Sequence, residues 1–349
     1  VINKEAVNKA VMVGKALNCA INNYSEFSRK HYFYPDLPKG YQISQFDKPI
    51  CGTGYLEVDL DNALHSINIT RAHLEEDSGK FLHGADNTSF IDYNRAGAPL
   101  IEIVTEPDFR GPELVVAFLK QLKNQLEYID VSDCDMEKGN LRVDLNISVM
   151  KKGSKEFGVR REVKNLNSFK SVDKAIRYEV EQQVQIIESG ESVKQSTLIW
   201  NEDQGQTKVM RVKEDANDYR YFPEPDLPPL KLSGEMIDDI SNNMPELPNQ
   251  KLARFKEQYK IAVDDLKFLI SSKNIANYFE ETAERSDKHA LIANWIRVYV
   301  MQVLNRDKID ILDFSITPVR LAQIIELLSD NKITKENAKK VFDVMISDN

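Results

Sequence analysis

Apolar side chains recur at helical spacing in three stretches of the chain, residues 4–20, 111–130 and 171–189. A return every three or four positions is typical of an amphipathic helix. Pro112 lies near the first turn of the second stretch and Gly190 follows the third, which suits a helix start and a helix end. The apolar stripe of the third predicted helix consists of Ile176, Val180, Val184 and Ile187. We therefore predict three helices here.

Four other stretches alternate apolar and polar side chains, residues 67–71, 141–149, 159–165 and 207–213. A period of two is the pattern of a strand with one buried face. Few helices separate these strands, which favours an antiparallel sheet. The first part of the chain is therefore predicted to be an α+β domain.

The stretch 219–230 is rich in proline and is not expected to be helical, because proline has a fixed φ and no N–H to donate. Beyond residue 235 the strand patterns disappear. Helical spacing recurs in residues 250–259, 264–270, 274–284, 289–304, 317–329 and 335–346. We place a domain boundary within 232–248 and predict two domains, an α+β domain over 1–240 and an all-α domain over 241–349.

The chain of 349 residues is 42% hydrophobic and 29% charged, a composition typical of a globular protein with two or three domains. We expect no membrane partner, because no apolar run approaches the about 20 residues that span a bilayer. Cys19, Cys51 and Cys134 are isolated, which argues against disulfides and cysteine zinc sites and favours the cytoplasm or an organellar matrix. The net charge of −9 argues against indiscriminate binding of nucleic acid, but not against a tRNA held by local basic patches.

Glu102 interrupts the apolar run of residues 99–104. An unpaired buried carboxylate is costly, so such a residue is normally paired or bound to a metal. A second acidic cluster contains Glu75 and Glu76, and only one of these faces any given site unless a bulge intervenes. One of them together with Glu102 would suit Mg²⁺, which takes one or two carboxylates plus waters and phosphates. The alternative is a solvated acidic turn.

Polar and mostly charged side chains share one face of each of two predicted strands. They are Arg142, Asp144 and Asn146 on the first, and Arg160, Glu162 and Lys164 on the second. Cations beside carboxylate-bound Mg²⁺ offset the negative charge that develops during phosphoryl transfer. The alternative is the solvent-exposed side of an antiparallel sheet.

Basic and aromatic residues are interleaved within 27–42, where Lys30, His31 and Tyr32 are consecutive. Such a stretch suits a phosphodiester with a stacked base, and the alternative is a packed surface loop. Lys80 follows Ser78-Gly79 but lacks the spacing of a phosphate-binding loop. The chain shows no nucleophile motif for acyl hydrolysis, so we do not expect it to hydrolyse glutamine itself.

Six long motifs together resemble the B-subunit family of aspartyl/glutamyl-tRNA amidotransferases, the GatB/GatE family. They lie at residues 32–36, 40–45, 74–80, 92–108, 162–168 and 218–226. The resemblance implies a carbon–nitrogen ligase complex with glutamine as nitrogen donor. Its B subunit uses ATP and Mg²⁺ to phosphorylate the side-chain carboxyl of Asp-tRNA(Asn) or Glu-tRNA(Gln), and ammonia from the A (glutaminase) subunit then displaces phosphate. It also implies a C subunit, a cradle domain with the glutamine synthetase fold, and a helical region, the start of a YqeY-like domain, that recruits mischarged tRNA.

The resemblance also implies site residues. Glu76 and Glu102 match the metal-binding glutamates of the family, and with Lys164 we take them as catalytic. We assign the nucleotide phosphates to Arg71, Lys80, Arg142 and Lys164, and the tRNA acceptor end to Lys30, His31, Tyr32 and Arg95. We expect the sequence to be a piece of a longer protein, since the opening strand with Gly-Leu-Glu-x-His ligands would precede Val1 and the tail would follow Asn349. Ser28 stands where the family usually has Asp.

Two rival functions follow from the same residues. A non-catalytic scaffold that only positions the tRNA acceptor end would explain the basic and aromatic stretch and the helical domain. It would not explain why Glu102 interrupts an apolar strand. A small-molecule amine ligase of the glutamine synthetase type would explain the carboxylates, and it predicts amide formation on free glutamate without tRNA.

Overall fold

The computed structural model describes residues 2–61, 63–83, 88–212 and 219–347. Lys213 of the predicted fourth strand and Asp218 of the last motif lie outside this part of the chain. The chain divides into two compact units. The first contains the residues up to Leu126 together with Asp130–Met244, and the second contains Glu127–Ile129 with the residues from Pro245 onward.

The first unit mixes helices and strands, as predicted. Its helices are α1 (Lys4–Ala16), α2 (Pro112–Tyr128, which ends in the second unit), α3 (Phe169–Glu188) and α4 (Gly234–Asn242). Its strands are β1 (Tyr24–Ser25), β2 (Ser28–His31), β3 (Tyr41–Ser44), β4 (Gly54–Leu60), β5 (Ala63–Glu76), β6 (Lys80–His83), β7 (Ser89–Asp92), β8 (Pro99–Thr105), β9 (Val143–Ile147), β10 (Arg161–Leu166), β11 (Ser196–Asn201), β12 (Gln206–Val212), β13 (Phe222–Pro223) and β14 (Leu230–Lys231). Helix α4 lies in the stretch predicted to contain the domain boundary, where the Ser233 hydroxyl accepts a hydrogen bond from the Met236 N–H at 3.2 Å.

The strands of this unit form several small sheets. Their orders are β4-β5-β8, β13-β2-β3, β12-β11-β10-β9, β1-β14 and β6-β7. All of these pairs are antiparallel except β10 with β11. The antiparallel prediction is wrong for that pair because α3 connects the two strands, and a helical crossover returns the chain in the same direction.

Helix α3 buries a more polar face than its sequence predicts. Glu179 and Gln183 are buried, whereas Val180, Val184 and Ile187 of the predicted stripe are exposed, Ile187 by 46%. A guanidinium N–H of Arg161 lies 3.0 Å from the Glu179 carboxylate. The Gln183 amide donates to the Ile147 carbonyl at 3.0 Å. Because partners on the sheet satisfy these polar groups, burying them is tolerated and the helix is rotated accordingly.

The end of α1 packs closely against the start of β4. The Tyr55 N–H donates to the Leu17 carbonyl at 2.9 Å, and Cys19 and Cys51 are buried free thiols. Burial raises the pKa of the Cys19 thiol to about 11 and that of Cys51 to about 12. These cysteines therefore serve packing, since a reactive cysteine needs a lowered pKa.

Gly54 lies at this contact, and we expect Gly54→Ala to destabilise the first unit. An added Cβ would stand 2.5 Å from both the Cys19 sulfur and the Leu17 carbonyl oxygen. Overpacking of this kind costs about 1–3 kcal/mol, measurable by urea denaturation. Gly234→Ala is the matched control, because nothing lies within 4 Å of its added Cβ. Equal stability of both variants would contradict the packing described here.

The second unit is mainly helical. Its helices are α5 (Pro248–Tyr259), α6 (Val263–Leu269), α7 (Lys273–Ala283), α8 (His289–Trp295), α9 (Met301–Asp307), α10 (Pro318–Ser329) and α11 (Lys335–Ser347). The predicted helix 289–304 is interrupted by a π-helical turn at Ile296–Val300. Phe255, Phe279 and Trp295 are at the centre of the core of this unit. Among the described residues, no helix is both long and apolar enough to cross a membrane.

Candidate active site

A β-bulge in β5 decides which of its side chains share a face. Ile67 and Ile69 are buried before the bulge, and Ala72 and Leu74 are buried after it. The pairing with β8 shifts between Ile69 and Arg71, so that the buried positions change from odd to even numbers. A bulge next to a site redirects side chains in this way. Beyond it, the odd-numbered residues of β5 share the face opposite Ala72 and Leu74.

Three potential metal ligands meet on β5 and β8. His73 pairs with Glu102 directly across the two strands, and Glu75 lies two residues further along β5 on the same face. Ligand atoms of all three side chains lie within 4.8 Å of one another. Donors on opposite sides of a Mg²⁺ ion lie about 4.2 Å apart, since each bond is about 2.1 Å. The group is therefore close to the size that one cation requires.

The surroundings of this group fit a divalent cation. Nε2 of His73 lies 3.8 Å from the Glu75 carboxylate, and these side chains are 5% and 8% exposed. The Ser44 hydroxyl donates to Glu75 at 3.3 Å. Nδ1 of His73 is buried and has no hydrogen-bond partner among the described residues. Two carboxylates and one imidazole are groups that bind divalent metals. The imidazole also has a nitrogen that is buried and has no partner in the described part of the chain.

Glu76, the predicted partner of Glu102, lies outside this group of three. Its carboxylate accepts a hydrogen bond from the Ile43 N–H at 2.8 Å and forms an ion pair with Lys39. Its carbonyl oxygen accepts a hydrogen bond from the Gln42 amide at 2.7 Å. The side chain that neighbours Glu102 in the cluster is Glu75. A metal-binding role for Glu76 stays a prediction.

Arg71 and Tyr221 lie beside the carboxylates. Arg71 precedes His73 by two residues after the bulge, and its Nε is buried without a hydrogen-bond partner in the described part of the chain. Burial raises the pKa of Tyr221 to about 12, and the nearby Tyr219, Glu102 and Glu75 act in the same direction while Arg71 opposes them. The predicted cation Arg71 is therefore near the predicted ligand Glu102.

Arg142 and Arg95 share one carboxylate, that of Asp77. A guanidinium N–H of Arg142 donates to Oδ2 of Asp77, and Nε of Arg95 lies 3.7 Å from the same oxygen. Asp77 follows Glu76 at the end of β5. The structure thus brings together two residues that were predicted for different ligands, the nucleotide and the tRNA acceptor end.

Lys164 and Lys80 lie on other sheets. Lys164 belongs to β10, where its ammonium forms ion pairs with Asp144 and, at 3.1 Å, with Glu162. Burial opposes the charge of Lys164, but these two carboxylates outweigh it and raise its pKa. Lys80 is exposed on β6, where it pairs with Asp92. Their assignment to the nucleotide stays a prediction.

Three of the four predicted tRNA residues lie on or beside a strand rather than in a loop, whereas Arg95 lies in the turn between β7 and β8. Lys30 and His31 belong to β2, which pairs with β3 and β13. The Lys30 ammonium lies 5.0 Å from the centre of the Tyr219 ring, and His31 stacks on Phe222 at 4.9 Å. Tyr32 follows β2, and its hydroxyl donates to the Gln42 side chain at 3.2 Å. Burial raises the pKa of Tyr32, with Glu75 the first of the nearby charges that add to it.

Sequence reasoning missed His73, Tyr219 and Tyr221. The signal for His73 was present, since Arg71, His73 and Glu75 alternate along one stretch. The predicted strand ended at Arg71, and β5 continues to Glu76. The two tyrosines gave no local signal, because their stretch lies beside β2 only as a result of the pairing between β13 and β2, which are far apart in the sequence.

Comparisons with known proteins agree with the resemblance carried by the six sequence motifs. The family model described as GatB/GatE catalytic domain matches residues 1–238, and the model described as GatB domain matches residues 277–349. The B subunit of the aspartyl/glutamyl-tRNA(Asn/Gln) amidotransferase of Thermodesulfovibrio yellowstonii is 47% identical over 345 residues, which cover 99% of this chain and 73% of the relative. Its counterpart of the same name from Caldicellulosiruptor saccharolyticus is 48% identical over 349 residues, with the same shares. The chain belongs to the GatB/GatE family.

Proposed function

We propose that this chain activates the side-chain carboxyl of Asp-tRNA(Asn) or Glu-tRNA(Gln) by ATP-dependent phosphorylation. As a GatB subunit, it is part of the amidotransferase that converts Asp- or Glu-tRNA to Asn- or Gln-tRNA. A carboxylate does not react with ammonia, because its leaving group would be oxide. Attack of the carboxylate oxygen on the γ-phosphorus of ATP releases ADP, and ammonia then displaces phosphate from the acyl carbon. The ammonia would come from the A subunit, with the C subunit completing the complex.

The group of His73, Glu75 and Glu102 carries this proposal. Glu75 and Glu102 would hold Mg²⁺, with His73 as the third donor, as their spacing within 4.8 Å allows. A bound Mg²⁺ ion neutralises negative charge on the phosphate oxygens of the nucleotide. A scaffold that only binds tRNA has no need of such a group. We keep Glu76 as the alternative ligand on the strength of the family motif.

The neighbouring cations support phosphate binding at this place. Arg71 has a buried donor, the Nε–H, that is not used by any described residue, and Arg142 remains largely exposed beyond its contact with Asp77. We assign both to the nucleotide phosphates, together with Lys80 and Lys164. The acceptor end of the tRNA would lie along β2 and Arg95. The cradle would have the glutamine synthetase fold, and the helical unit would recruit the tRNA.

The deciding experiment measures ATP cleavage by the full-length protein assembled with its partner subunits. We expect release of phosphate from ATP to rise at least about 10-fold when mischarged Asp-tRNA(Asn) or Glu-tRNA(Gln) is added, since the substrate carboxylate is the phosphoryl acceptor. Uncharged tRNA is the control and should have no effect. Amide formation on free glutamate would favour the small-molecule ligase, and tRNA binding with no ATP cleavage would favour the scaffold.

A further inference from the structure

Asp77 is fixed in place by its own backbone. Its N–H donates to the Ala98 carbonyl at 2.8 Å, and its carbonyl accepts from the Gly97 N–H at 2.9 Å. Its Oδ1 accepts a hydrogen bond from the Ser78 N–H at 2.9 Å. The side chain is only 8% exposed. The position of this carboxylate is therefore set by the turn that follows β5.

Two guanidinium groups approach the remaining oxygen of Asp77. Arg142 and Arg95 both contact Oδ2, and their side chains are 52% and 38% exposed. Arg95 is held further by donating to the Lys138 carbonyl at 2.8 Å and to the Asn140 side chain at 2.7 Å. Without the carboxylate, the two like charges would repel each other at this distance. Asp77 thus offsets the repulsion between these two cations.

More cations than carboxylates meet at Asp77 itself. Two guanidinium groups contact this one carboxylate on a partly exposed surface. A pair of arginines held in fixed positions is a typical phosphate-binding arrangement, because the planar group donates in a forked geometry. The cost of ordering these long side chains is met when the protein folds and not when the ligand binds.

We propose that Asp77 is a positioning residue that holds Arg142 and Arg95 as one binding surface for a phosphate group of the substrates. The proposal rests on the proposed function, in which both a nucleotide and a tRNA supply phosphates. Asp77 itself does not touch the phosphate. It acts through the two arginines. The substrate that binds less tightly when Asp77 is neutralised is the one that supplies the phosphate.

Asp77→Asn tests this role because two effects predict opposite signs. Removal of a negative charge alone would tighten the binding of ATP and tRNA, which are both polyanions. Loss of positioning weakens binding instead. In the full-length assembled complex, we expect the Kd for tRNA or the KM for ATP to rise about 10-fold, a loss typical of a disrupted charge-assisted contact. We expect kcat at saturating substrate to change much less.

The two arms separate the sources of the phosphate. A rise confined to the KM for ATP assigns the surface to the nucleotide, and a rise confined to the Kd for tRNA assigns it to the tRNA backbone. Unchanged or tighter binding of both would overturn the proposal. Asp173→Asn is the matched control, since Asp173 contacts Arg177 at 3.0 Å on the exposed side of α3, and it should change neither constant.

A second variant, Arg142→Lys, tests the same surface if Asp77→Asn does not fold. Arg142→Lys keeps the positive charge but loses the forked geometry, so it should weaken the same substrate about 5-fold. Full affinity in Arg142→Lys would contradict the proposal. The direct Kd for tRNA needs no ATP cleavage. If the wild-type complex cleaved no ATP in response to tRNA, the proposed function would fail, while the Kd for tRNA and a Kd for ATP measured by direct binding would still decide the role of Asp77.

Discussion

Glu102→Gln should lower tRNA-dependent ATP cleavage by the assembled full-length complex at least about 100-fold, the loss typical of a removed transition-state charge interaction. The amide keeps the shape of the side chain and one oxygen, but it loses the negative charge that a divalent cation requires. The Kd for tRNA should stay near the wild-type value, because Glu102 is proposed to bind the cation and not the tRNA. ATP cleavage near wild-type rates would contradict the metal site.

The same assay decides between the two neighbouring glutamates. We expect Glu75→Gln to match the loss in Glu102→Gln, since Glu75 belongs to the group of three. Glu76→Gln should lose less, because the Glu76 carboxylate already pairs with Lys39 and Ile43. A larger loss of ATP cleavage in Glu76→Gln than in Glu75→Gln would assign the metal to Glu76. Glu57→Gln is the control, as Glu57 is exposed on β4 of the same sheet.

Arg161→Met should give the largest loss of stability among the changes considered. Arg161 pairs with Glu179, whose side chain is completely buried. Removal of one partner of a buried ion pair costs about 3–5 kcal/mol, because the other charge is left without compensation. The free energy of unfolding, measured by urea denaturation, should fall by this amount near neutral pH. Arg177→Met is the control, because Arg177 is exposed and its loss should leave the unfolding midpoint unchanged.

The loss in Arg161→Met should depend on pH. Burial already raises the pKa of Glu179 in the folded protein, and Arg161 counteracts this. Without Arg161 the folded pKa rises further above the unfolded value. A carboxyl whose pKa is higher in the folded than in the unfolded state destabilises the fold when it is ionised. The variant should therefore lose most stability near pH 8 and less as the pH falls towards about 5. A loss independent of pH would show that Glu179 ionisation is not its cause.

Local patterns in the sequence predicted element types well and orientations less well. The helix predicted over 111–130 is α2, because its apolar spacing is a property of the stretch itself. The predicted buried face of α3 was wrong beyond Ile176. The orientation of this helix depends on its contacts with Arg161 and Ile147, which belong to strands β10 and β9. No pattern within a helix reports such partners.

The same distinction applies to the site. Glu102 gave a local signal, a carboxylate within an apolar strand, and the structure places it beside other potential ligands. The identity of its neighbours depends on the pairing of β5 with β8 and on the bulge between Ile69 and Arg71. Pairing between distant strands and bulges are set by contacts across the chain, so His73 was missed and the choice between Glu75 and Glu76 was not determined.

The bulge in β5 constrains how this segment can change during evolution. Insertion or loss of a single residue between the bulge and His73 would exchange the two sides of the strand and send the imidazole and its neighbouring carboxylate into the hydrophobic interior. Two such changes together would return the side chains to their original face, but His73 would then lie two residues out of register with Glu102. The distance along the chain from the bulge to His73 is therefore fixed by the face of the strand and by its register with β8.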